Sequence, residues 1–284
     1  CFENSISIKP NFAEAFNNMA LSLKEERKFE KAIISLEKAI ALKKNYAEAY
    51  YNLGNVYTLL GELEKSINMF TAAIDIKSDY FDAYNNLGAV YNLKKDYDKA
   101  YQNIQKAISL NPNNADAFNN LGTSALNLNK EDEAIAHYNK AISIDPKLII
   151  AYSNLCGLFE KSNNLKEFEN ILEKTKELKL DQFGEIKFHE AQFFSRKKDF
   201  DRSILLLKSI DDNEISEKTK TNKYGLLGKD FDKVQNYEEA FKCFQKTNEL
   251  VKVGEEYKQY NPAIYQEEVL ELINSYSKTK KISW

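Results

Sequence analysis

Residues 81–114 read FDAYNNLGAVYNLKKDYDKAYQNIQKAISLNPNN, and the next 34 residues, 115–148, read ADAFNNLGTSALNLNKEDEAIAHYNKAISIDPKL. The two stretches align without a gap, so that Gly88 matches Gly122 and Pro112 matches Pro146. A small residue recurs in the same way along the whole chain, at intervals of 34, 34, 34, 34, 35 and 37 residues: Ala20, Gly54, Gly88, Gly122, Cys156, Ala191 and Gly228. A period of this length indicates a stacked array of similar structural units.

Each unit has the hydrophobic spacing of two α-helices. In the stretch YNNLGAVY at 84–91, aromatic, leucine and glycine residues recur at intervals of three and four, which places them on one face of a first helix. Ala100, Ile104 and Ala107 have the same spacing in a second helix. A hairpin of this size cannot bury its apolar face alone, so we expect an all-α fold in which successive hairpins stack on one another.

Composition excludes several classes of protein. Only 9 of the 284 residues are Gly and 4 are Pro, too few for the closely spaced turns of a β-rich fold. The 40 Lys and Arg residues against 43 Asp and Glu give a formal net charge of -3 and form no long basic block, so we expect no nucleic acid partner. No stretch approaches the roughly 18 apolar residues of a membrane-spanning helix, and we expect no membrane partner.

The repeated pattern resembles the tetratricopeptide repeat (TPR), in which aromatic-x2-Leu-Gly-x2-Tyr is followed by Ala-x3-Phe, Ala and Pro. Residues 13–148 follow it closely, and later units depart from it, with Lys187 and Glu190 in place of the aromatic residue and Leu. The resemblance implies a right-handed α-solenoid whose concave groove binds a protein or an extended peptide segment. The predicted divisions are a partial unit at 1–12, seven TPR units at 13–46, 47–80, 81–114, 115–148, 149–183, 184–220 and 221–254, and an amphipathic capping or linker helix and tail at 255–284.

The C-terminal part resembles a narrower group of proteins. The run from Leu227 to Tyr276 contains a Tyr-x-x-Ala-Phe segment at 237–241 and then a proline-marked amphipathic segment, as in bacterial proteins whose TPR array precedes a sulfotransferase domain. This resemblance implies that the chain recruits a partner for a sulfuryl-transferring domain that follows Trp284. Two alternatives remain: a stand-alone adaptor, and the TPR arm of an O-linked N-acetylglucosamine transferase-like enzyme, which the NNLG segments resemble.

The N-terminal end of the given sequence bears on the cellular location of the protein. The chain opens at Cys1, in the middle of a unit and without a Met, so a signal peptide before this point would not be visible. We expect a cytoplasmic protein.

Cysteine and histidine occur too sparsely to build a metal site. The three cysteines form no CxxC pair, and the two histidines lie far from them in sequence, so we expect no metal and no cofactor. Cys156 replaces the usual small residue and should be buried, whereas Cys243, on a second helix, should be partly exposed. We expect His189 to face the groove and His137 to lie on the surface.

The segment GLLGK at 225–229 has an incomplete resemblance to a phosphate-binding loop. Such a loop requires GxxxxGK followed by Ser or Thr, but here the first Gly is wrongly spaced and Asp230 follows Lys229. The repeat register instead places Gly228 at a helix crossing. Because no nucleophile–base pair is visible either, we expect this chain to have no catalytic activity.

An asparagine recurs once in each of the first five units, next to the buried stripe of the first helix. A side-chain amide can donate to a peptide carbonyl and accept from a peptide N–H, so a row of amides could hold the backbone of a bound peptide. In that interpretation the amides are solvated when no ligand is bound; in the alternative they bridge neighbouring repeats. The predicted peptide-binding residues are Asn18, Asn52, Asn86, Asn120 and Asn154.

The same first helices argue against one known mode of TPR binding. A clamp for the C-terminal carboxylate of a partner needs Lys and Arg on successive first helices. Acidic residues stand at the corresponding positions of the first four units, and they would repel a carboxylate: Glu14, Glu48, Asp82 and Asp116. We therefore predict an extended peptide or protein partner that is not held by its terminal carboxylate.

Overall fold

A computed structural model of the chain describes residues 12–253, which contain fourteen α-helices and no β-strand. The all-α prediction is therefore confirmed for this part of the chain. The helices follow one another in seven pairs, each with a first and a second helix: α1 Ala13–Glu25 and α2 Phe29–Leu42, α3 Ala47–Leu59 and α4 Leu63–Ile76, α5 Phe81–Leu93 and α6 Tyr97–Leu110, α7 Ala115–Asn127 and α8 Glu131–Ile144, α9 Ile149–Lys161 and α10 Leu165–Glu177, α11 Gly184–Arg196 and α12 Phe200–Lys208, and α13 Glu217–Lys233 and α14 Tyr237–Val253.

The turn inside each pair is short and always includes a residue with left-handed backbone. Gly61 has φ 73° in the turn between α3 and α4, as expected for a glycine that ends a helix. After α5 the same conformation is adopted by Lys95, with φ 63°, and the following residue, Asp96, donates its backbone N–H to the carbonyl of Tyr91 at 2.9 Å. This bond satisfies a carbonyl that the helix end would otherwise leave unpaired.

The recurring small residues lie where the two helices of a pair cross. A Cβ atom added to Gly122 would stand 2.7 Å from the ring of Tyr138 on α8, and one added to Gly88 would collide with Ile104 on α6 and come within 3.0 Å of the Ala100 carbonyl. The predicted crossing at Gly228 is also confirmed, because a Cβ atom there would stand 2.7 Å from the Phe244 ring. At these three crossings only a residue without a side chain allows the two helices to come so close.

The described residues divide into two compact units between Leu155 and Cys156, inside α9. In the first unit the core is continuous from pair to pair, because a large residue of each second helix packs against the following first helix. Phe70 of α4 packs with Leu87 and Val90 of α5, and Ile104 of α6 packs with Leu121 of α7. This stacking holds the first helices of successive pairs beside one another.

The second unit replaces part of this apolar pattern with buried polar contacts. Lys223, only 5% exposed, donates from Nζ to the Ile210 carbonyl at 2.7 Å and to Oδ1 of Asp212 at 2.7 Å. Tyr224 donates its hydroxyl to the other oxygen of Asp212 at 2.8 Å. The loop before α13 is thus fixed to that helix by paired charges.

The first helix of the seventh pair is longer than the earlier first helices. Ser216 accepts a hydrogen bond from the backbone N–H of Thr219 and caps this helix, which begins at Glu217. The predicted capping helix and tail at 255–284 lie outside the described residues, as does almost all of the partial unit at 1–12.

Candidate functional site

Three positions follow one face of the first helices α3, α5 and α7. On each of these helices an acid stands four residues before the predicted asparagine, and the residue seven positions after the asparagine lies on the same face two turns further on. We call this surface the first-helix stripe. It comprises Glu48, Asn52 and Leu59 on α3, Asp82, Asn86 and Leu93 on α5, and Asp116, Asn120 and Asn127 on α7.

The predicted asparagines differ in exposure. Asn18 is exposed, Asn86, Asn120 and Asn154 are half-buried, and Asn52 is buried. All but Asn18 use the amide nitrogen to bond a neighbouring repeat.

Three of the amides make the same inter-repeat bond. Asn52 donates from Nδ2 to Oδ1 of Asn17 at 2.8 Å, across a sequence separation of 35 residues. The same geometry joins Asn120 to Asn85 at 3.1 Å and Asn154 to Asn119 at 2.9 Å. All three acceptor residues are buried, so these bonds pair polar groups inside the contact between adjacent first helices.

The fourth amide makes an equivalent contact with different partners. Tyr51 stands where the other repeats have an asparagine acceptor, and Asn86 donates to its hydroxyl at 3.1 Å and to Oδ1 of Asn55 at 2.9 Å. Asn18 makes no such contact within the described residues, and its Oδ1 lies 3.5 Å from Nδ2 of Asn17.

The expectation that these amides are solvated without a ligand is therefore wrong for Asn52, Asn86, Asn120 and Asn154. The alternative, in which these amides bridge neighbouring repeats, is what the structure shows for their nitrogen atoms. The sequence contains a signal for this bridging. Adjacent asparagines such as 85–86 and 119–120 place an acceptor and a donor side by side on one first helix, and the pattern recurs on the next first helix.

Asn92 is a bridging residue that the sequence reasoning missed. It donates from Nδ2 to the Asn120 carbonyl at 3.3 Å and accepts from Oγ of Ser124 at 3.0 Å, which links α5 to α7 a second time. Asn92 has no counterpart of its own type in the other repeats, so no periodic pattern marked it.

The acidic row lies at the N-terminal ends of the first helices. Glu14 forms an ion pair with Lys43 at 3.0 Å, and Asp82 is partly buried. Burial raises the pKa of the Asp82 carboxyl, and the nearby Lys77 ammonium opposes this effect. Carboxylates at these positions also stabilise the helices, because the N-terminal end of a helix carries partial positive charge.

The histidines and cysteines do not form a reactive group. Cys156 is fully buried, as expected. Cys243 is 7% exposed, so the expectation of partial exposure is wrong; it packs in the core between α13 and α14. His189 is also buried rather than groove-facing, with Nδ1 2.8 Å from Oε1 of Gln192, and His137 is half-buried against the rings of Tyr101 and Phe118.

Within residues 12–253, no cluster of three or more His, Cys, Asp and Glu side chains is suited to hold a metal ion. The same part of the chain contains no helix with the length and apolar character needed to cross a bilayer.

A cleft of about 460 Å³ opens in the second unit beside α10, α11 and α12. Its apolar wall is formed by Leu172, Phe193 and Phe194. The charged groups around it are largely paired with one another, as in the Lys176–Glu190 contact at 2.6 Å and the Lys197–Glu169 contact at 2.9 Å. Paired charges leave little unsatisfied electrostatic attraction for a charged ligand.

Asp230 is a carboxylate buried between three helices. It is 1% exposed and accepts hydrogen bonds from Oγ of Ser195 on α11 and Oγ of Ser203 on α12, both at 2.6 Å. Burial raises the pKa of this carboxyl, and the two serine bonds and the Lys229 charge offset that effect only in part. The charged form is therefore less favourable in the folded protein than in the unfolded chain.

We expect Asp230→Asn to raise the melting temperature at pH 7.5. A group whose folded pKa is raised contributes stability below its unfolded pKa and loses it as the pH rises through the folded pKa. The advantage of the variant should therefore shrink as the pH falls toward 4. Thermal unfolding across this pH range measures the effect, with the exposed Asp232→Asn as a control. A variant that is less stable than the wild type at pH 7.5 would contradict this account.

Sequence models of one repeat family match the first part of the chain. The model described as "Tetratricopeptide repeat" matches residues 81–114 and 115–148, and the model described as "TPR repeat" matches residues 22–61 and 54–95. No curated protein matches the chain in sequence.

Solved structures share the fold. A tetratricopeptide repeat protein from Parabacteroides merdae superposes with a TM-score of 0.66 at 17% identity, covering 90% of this chain and 96% of that protein. A chain of the APC/C hetero-tetramer Cut9–Hcn1 gives a TM-score of 0.67 at 18% identity, covering 81% of this chain and 45% of that one. The TPR protein YrrB gives 0.52 at 24% identity, covering 70% and 98%. Residues 22–148 therefore consist of tetratricopeptide repeats, in an all-α fold shared with solved TPR proteins.

Proposed function

We propose that the chain is a protein-binding scaffold and that the first-helix stripe of the first unit binds an extended peptide segment. One observation carries this proposal. Leu59 and Leu93 are 60% and 61% exposed, stand one repeat apart at the ends of α3 and α5, and share a helix face with the amides of Asn52 and Asn86. These side chains suit an extended peptide. Its apolar side chains can contact the two leucines while its backbone forms hydrogen bonds with the row of amides.

The amides retain the capacity to bind a peptide backbone. Asn120 and Asn154 each use the nitrogen for the inter-repeat bond, and their side-chain oxygens receive no hydrogen bond from residues 12–253. A half-buried amide oxygen that is already fixed in orientation can accept from a peptide N–H with little loss of conformational entropy. We therefore place the backbone contacts on the oxygens of the predicted residues rather than on their nitrogens.

The acids favour a partner with basic side chains. Glu48, Asp82 and Asp116 stand on the same three helices as the amides, one turn toward the N-terminus. Lys or Arg side chains of a ligand that crosses the stripe would be attracted to this row. We expect the affinity for such a ligand to fall as the salt concentration rises, because exposed charge pairs are screened.

The fold is compatible with this activity. YrrB, which shares the fold, is a TPR protein with an unusual peptide-binding site. Repeats of this family present first helices side by side, and this arrangement forms an extended surface.

We expect Leu59→Ser with Leu93→Ser to weaken peptide binding without unfolding the protein. Burying a leucine side chain completely is worth about 1.5–3 kcal/mol, and these two can still lose more than half of their exposure on binding. A loss of about 2–4 kcal/mol in total corresponds to roughly thirty- to several-hundred-fold in Kd. The measurement uses peptides enriched from a random twelve-residue library on the wild-type chain, followed by titration calorimetry.

Ile34 provides the matched control, because it is 63% exposed but lies on the second helix α2. Ile34→Ser should leave the affinity unchanged. The proposal fails if no peptide is enriched, or if the enriched peptides bind the leucine double variant as tightly as the wild type.

The finer proposal, that this scaffold recruits a partner for a sulfotransferase domain, rests on the resemblance of residues 227–276 alone. No comparison supports it, and it remains a prediction, as does the stand-alone adaptor. Reading the gene past Trp284 separates the two. A GxxRSGT-like segment soon after Trp284 would support the enzyme, and a stop codon there would support the adaptor.

A further inference from the structure

The contact between α10 and α11 carries charged side chains at positions that are apolar in the earlier repeats. On α10 these are Glu169 and Lys176. The four earlier second helices have Ile or Tyr at the position that matches Glu169, and Ile in every case at the position that matches Lys176. The matching residues are Ile33, Ile67, Tyr101 and Ile135 for the first position and Ile40, Ile74, Ile108 and Ile142 for the second.

The first helix that follows has a matching change. Glu190 on α11 stands where α3, α5, α7 and α9 have a leucine. Its side chain is only 13% exposed and pairs with Lys176 at 2.6 Å. Glu169 pairs in the same way with Lys197, at the end of α11, at 2.9 Å. Two ion pairs therefore replace apolar packing at this contact.

This replacement accounts for the cleft of about 460 Å³ beside these helices. In the first unit the isoleucine fills the space against the next first helix, as Ile74 does against Leu87 and Val90. The side chains of Glu169 and Lys176 remain half-exposed, because their charged ends stay in water. The space between α10 and α11 thus stays open, and its volume lies within the range of about 300–1,000 Å³ that is typical of ligand sites.

The charges around the cleft leave one carboxylate over. Four acidic and three basic side chains line it, and Arg202 pairs with Asp199 at 3.7 Å in addition to the two ion pairs above. Glu173 on α10 is exposed and makes no ion pair or hydrogen bond with any residue in the range 12–253. It lies one residue from Leu172, which forms part of the apolar wall. A ligand that joins an apolar group to a basic group therefore complements this cleft.

We propose that the cleft binds an apolar side chain of a partner protein, of the size of leucine, next to a lysine or arginine of that partner. The apolar side chain occupies the space that isoleucine fills in the earlier repeats and contacts Leu172, Phe193 and Phe194. The basic side chain pairs with Glu173. This site belongs to the second unit and is independent of the first-helix stripe.

Nuclear magnetic resonance titration of the full chain with capped tripeptides tests the site. The peptide acetyl-Lys-Leu-Lys-amide should produce saturable shifts at Leu172, Phe193 and Phe194. The peptide acetyl-Lys-Ser-Lys-amide lacks the apolar side chain and should bind at least about tenfold more weakly. The peptide acetyl-Glu-Leu-Glu-amide should also bind more weakly than the first peptide, because Glu173 repels its carboxylates.

A variant with the residue types of the earlier repeats fills the cleft. Lys176→Ile with Glu190→Leu should raise the melting temperature, because a well-packed apolar pair often stabilises more than the ion pair that it replaces. The same variant should bind acetyl-Lys-Leu-Lys-amide at least about tenfold more weakly than the wild type. Leu205→Ser, at an exposed apolar side chain on α12, is the matched control and should leave the affinity unchanged.

Glu173→Lys decides the matter if the filled variant does not fold, because Glu173 is exposed and has no partner to lose among the described residues. It should weaken the binding of acetyl-Lys-Leu-Lys-amide and strengthen that of acetyl-Glu-Leu-Glu-amide. Three results would overturn the proposal: no saturable shift at the cleft, equal affinity for the leucine and serine peptides, or a folded double variant that binds as the wild type does. An unchanged peptide preference in Glu173→Lys would also overturn it.

Discussion

Replacing Gly88 by Leu should destabilise the protein by about 1–3 kcal/mol or more, because it overpacks the crossing of α5 and α6. Even the first added atom would collide with Ile104 and stand 3.0 Å from the Ala100 carbonyl, a backbone atom that cannot move unless α6 moves. Chemical denaturation monitored by circular dichroism measures the loss.

Alanine substitutions give a sharper comparison. Gly157 lies inside α9, and a Cβ atom added there would meet nothing within 4 Å. Gly157→Ala should therefore stabilise the protein by about 0.5–1 kcal/mol through helix propensity, whereas Gly88→Ala should destabilise it. Substitution at Gly61 should also destabilise the protein, but through its φ of 73° and not through packing. An unaffected Gly88→Leu protein would contradict the helix register.

The triple variant Asn52→Ala, Asn86→Ala and Asn120→Ala should lose about 2–6 kcal/mol of stability, at roughly 0.5–1.5 kcal/mol for each of the four inter-repeat hydrogen bonds removed. The cost should lie toward the upper end, because the acceptors Asn17 and Asn85 are buried and would lose their donors. Thermal and chemical unfolding measure it.

Asn139→Ala is a suitable control, since Asn139 is exposed on the second helix α8. It should leave the melting temperature unchanged or raise it slightly, because Ala is the better helix former. A triple variant as stable as the wild type but deficient in peptide binding would restore the interpretation in which the amides serve only a ligand.

The fold was predictable because the repeat is a local pattern. The spacing of Gly54, Gly88 and Gly122 requires only that each small residue lies at a helix crossing, and the contacts with Phe70, Ile104 and Tyr138 confirm this arrangement. Every such contact lies within one hairpin, so the sequence period alone is enough to predict it.

The asparagine contacts were harder to predict because they join different hairpins. Whether Asn120 faces solvent or Asn85 depends on the rotation of α7 against α5, which the period of the repeat leaves open. Non-repeated residues such as Asp212 and Lys223 gave no signal, because their pairing depends on a loop that occurs once in the chain. Periodicity thus predicted the helices and their hairpins, whereas the side-chain contacts between hairpins are visible only in the three-dimensional structure.

Binding of an extended peptide to the first-helix stripe is best tested by chemical-shift mapping of the isotope-labelled chain with a library-selected peptide. We predict that the side-chain amides of Asn120 and Asn154 and the backbone amides of Leu59 and Leu93 shift on titration, whereas Ile34 does not. Shifts confined to the second helices, or spread without preference for the first-helix stripe, would contradict it.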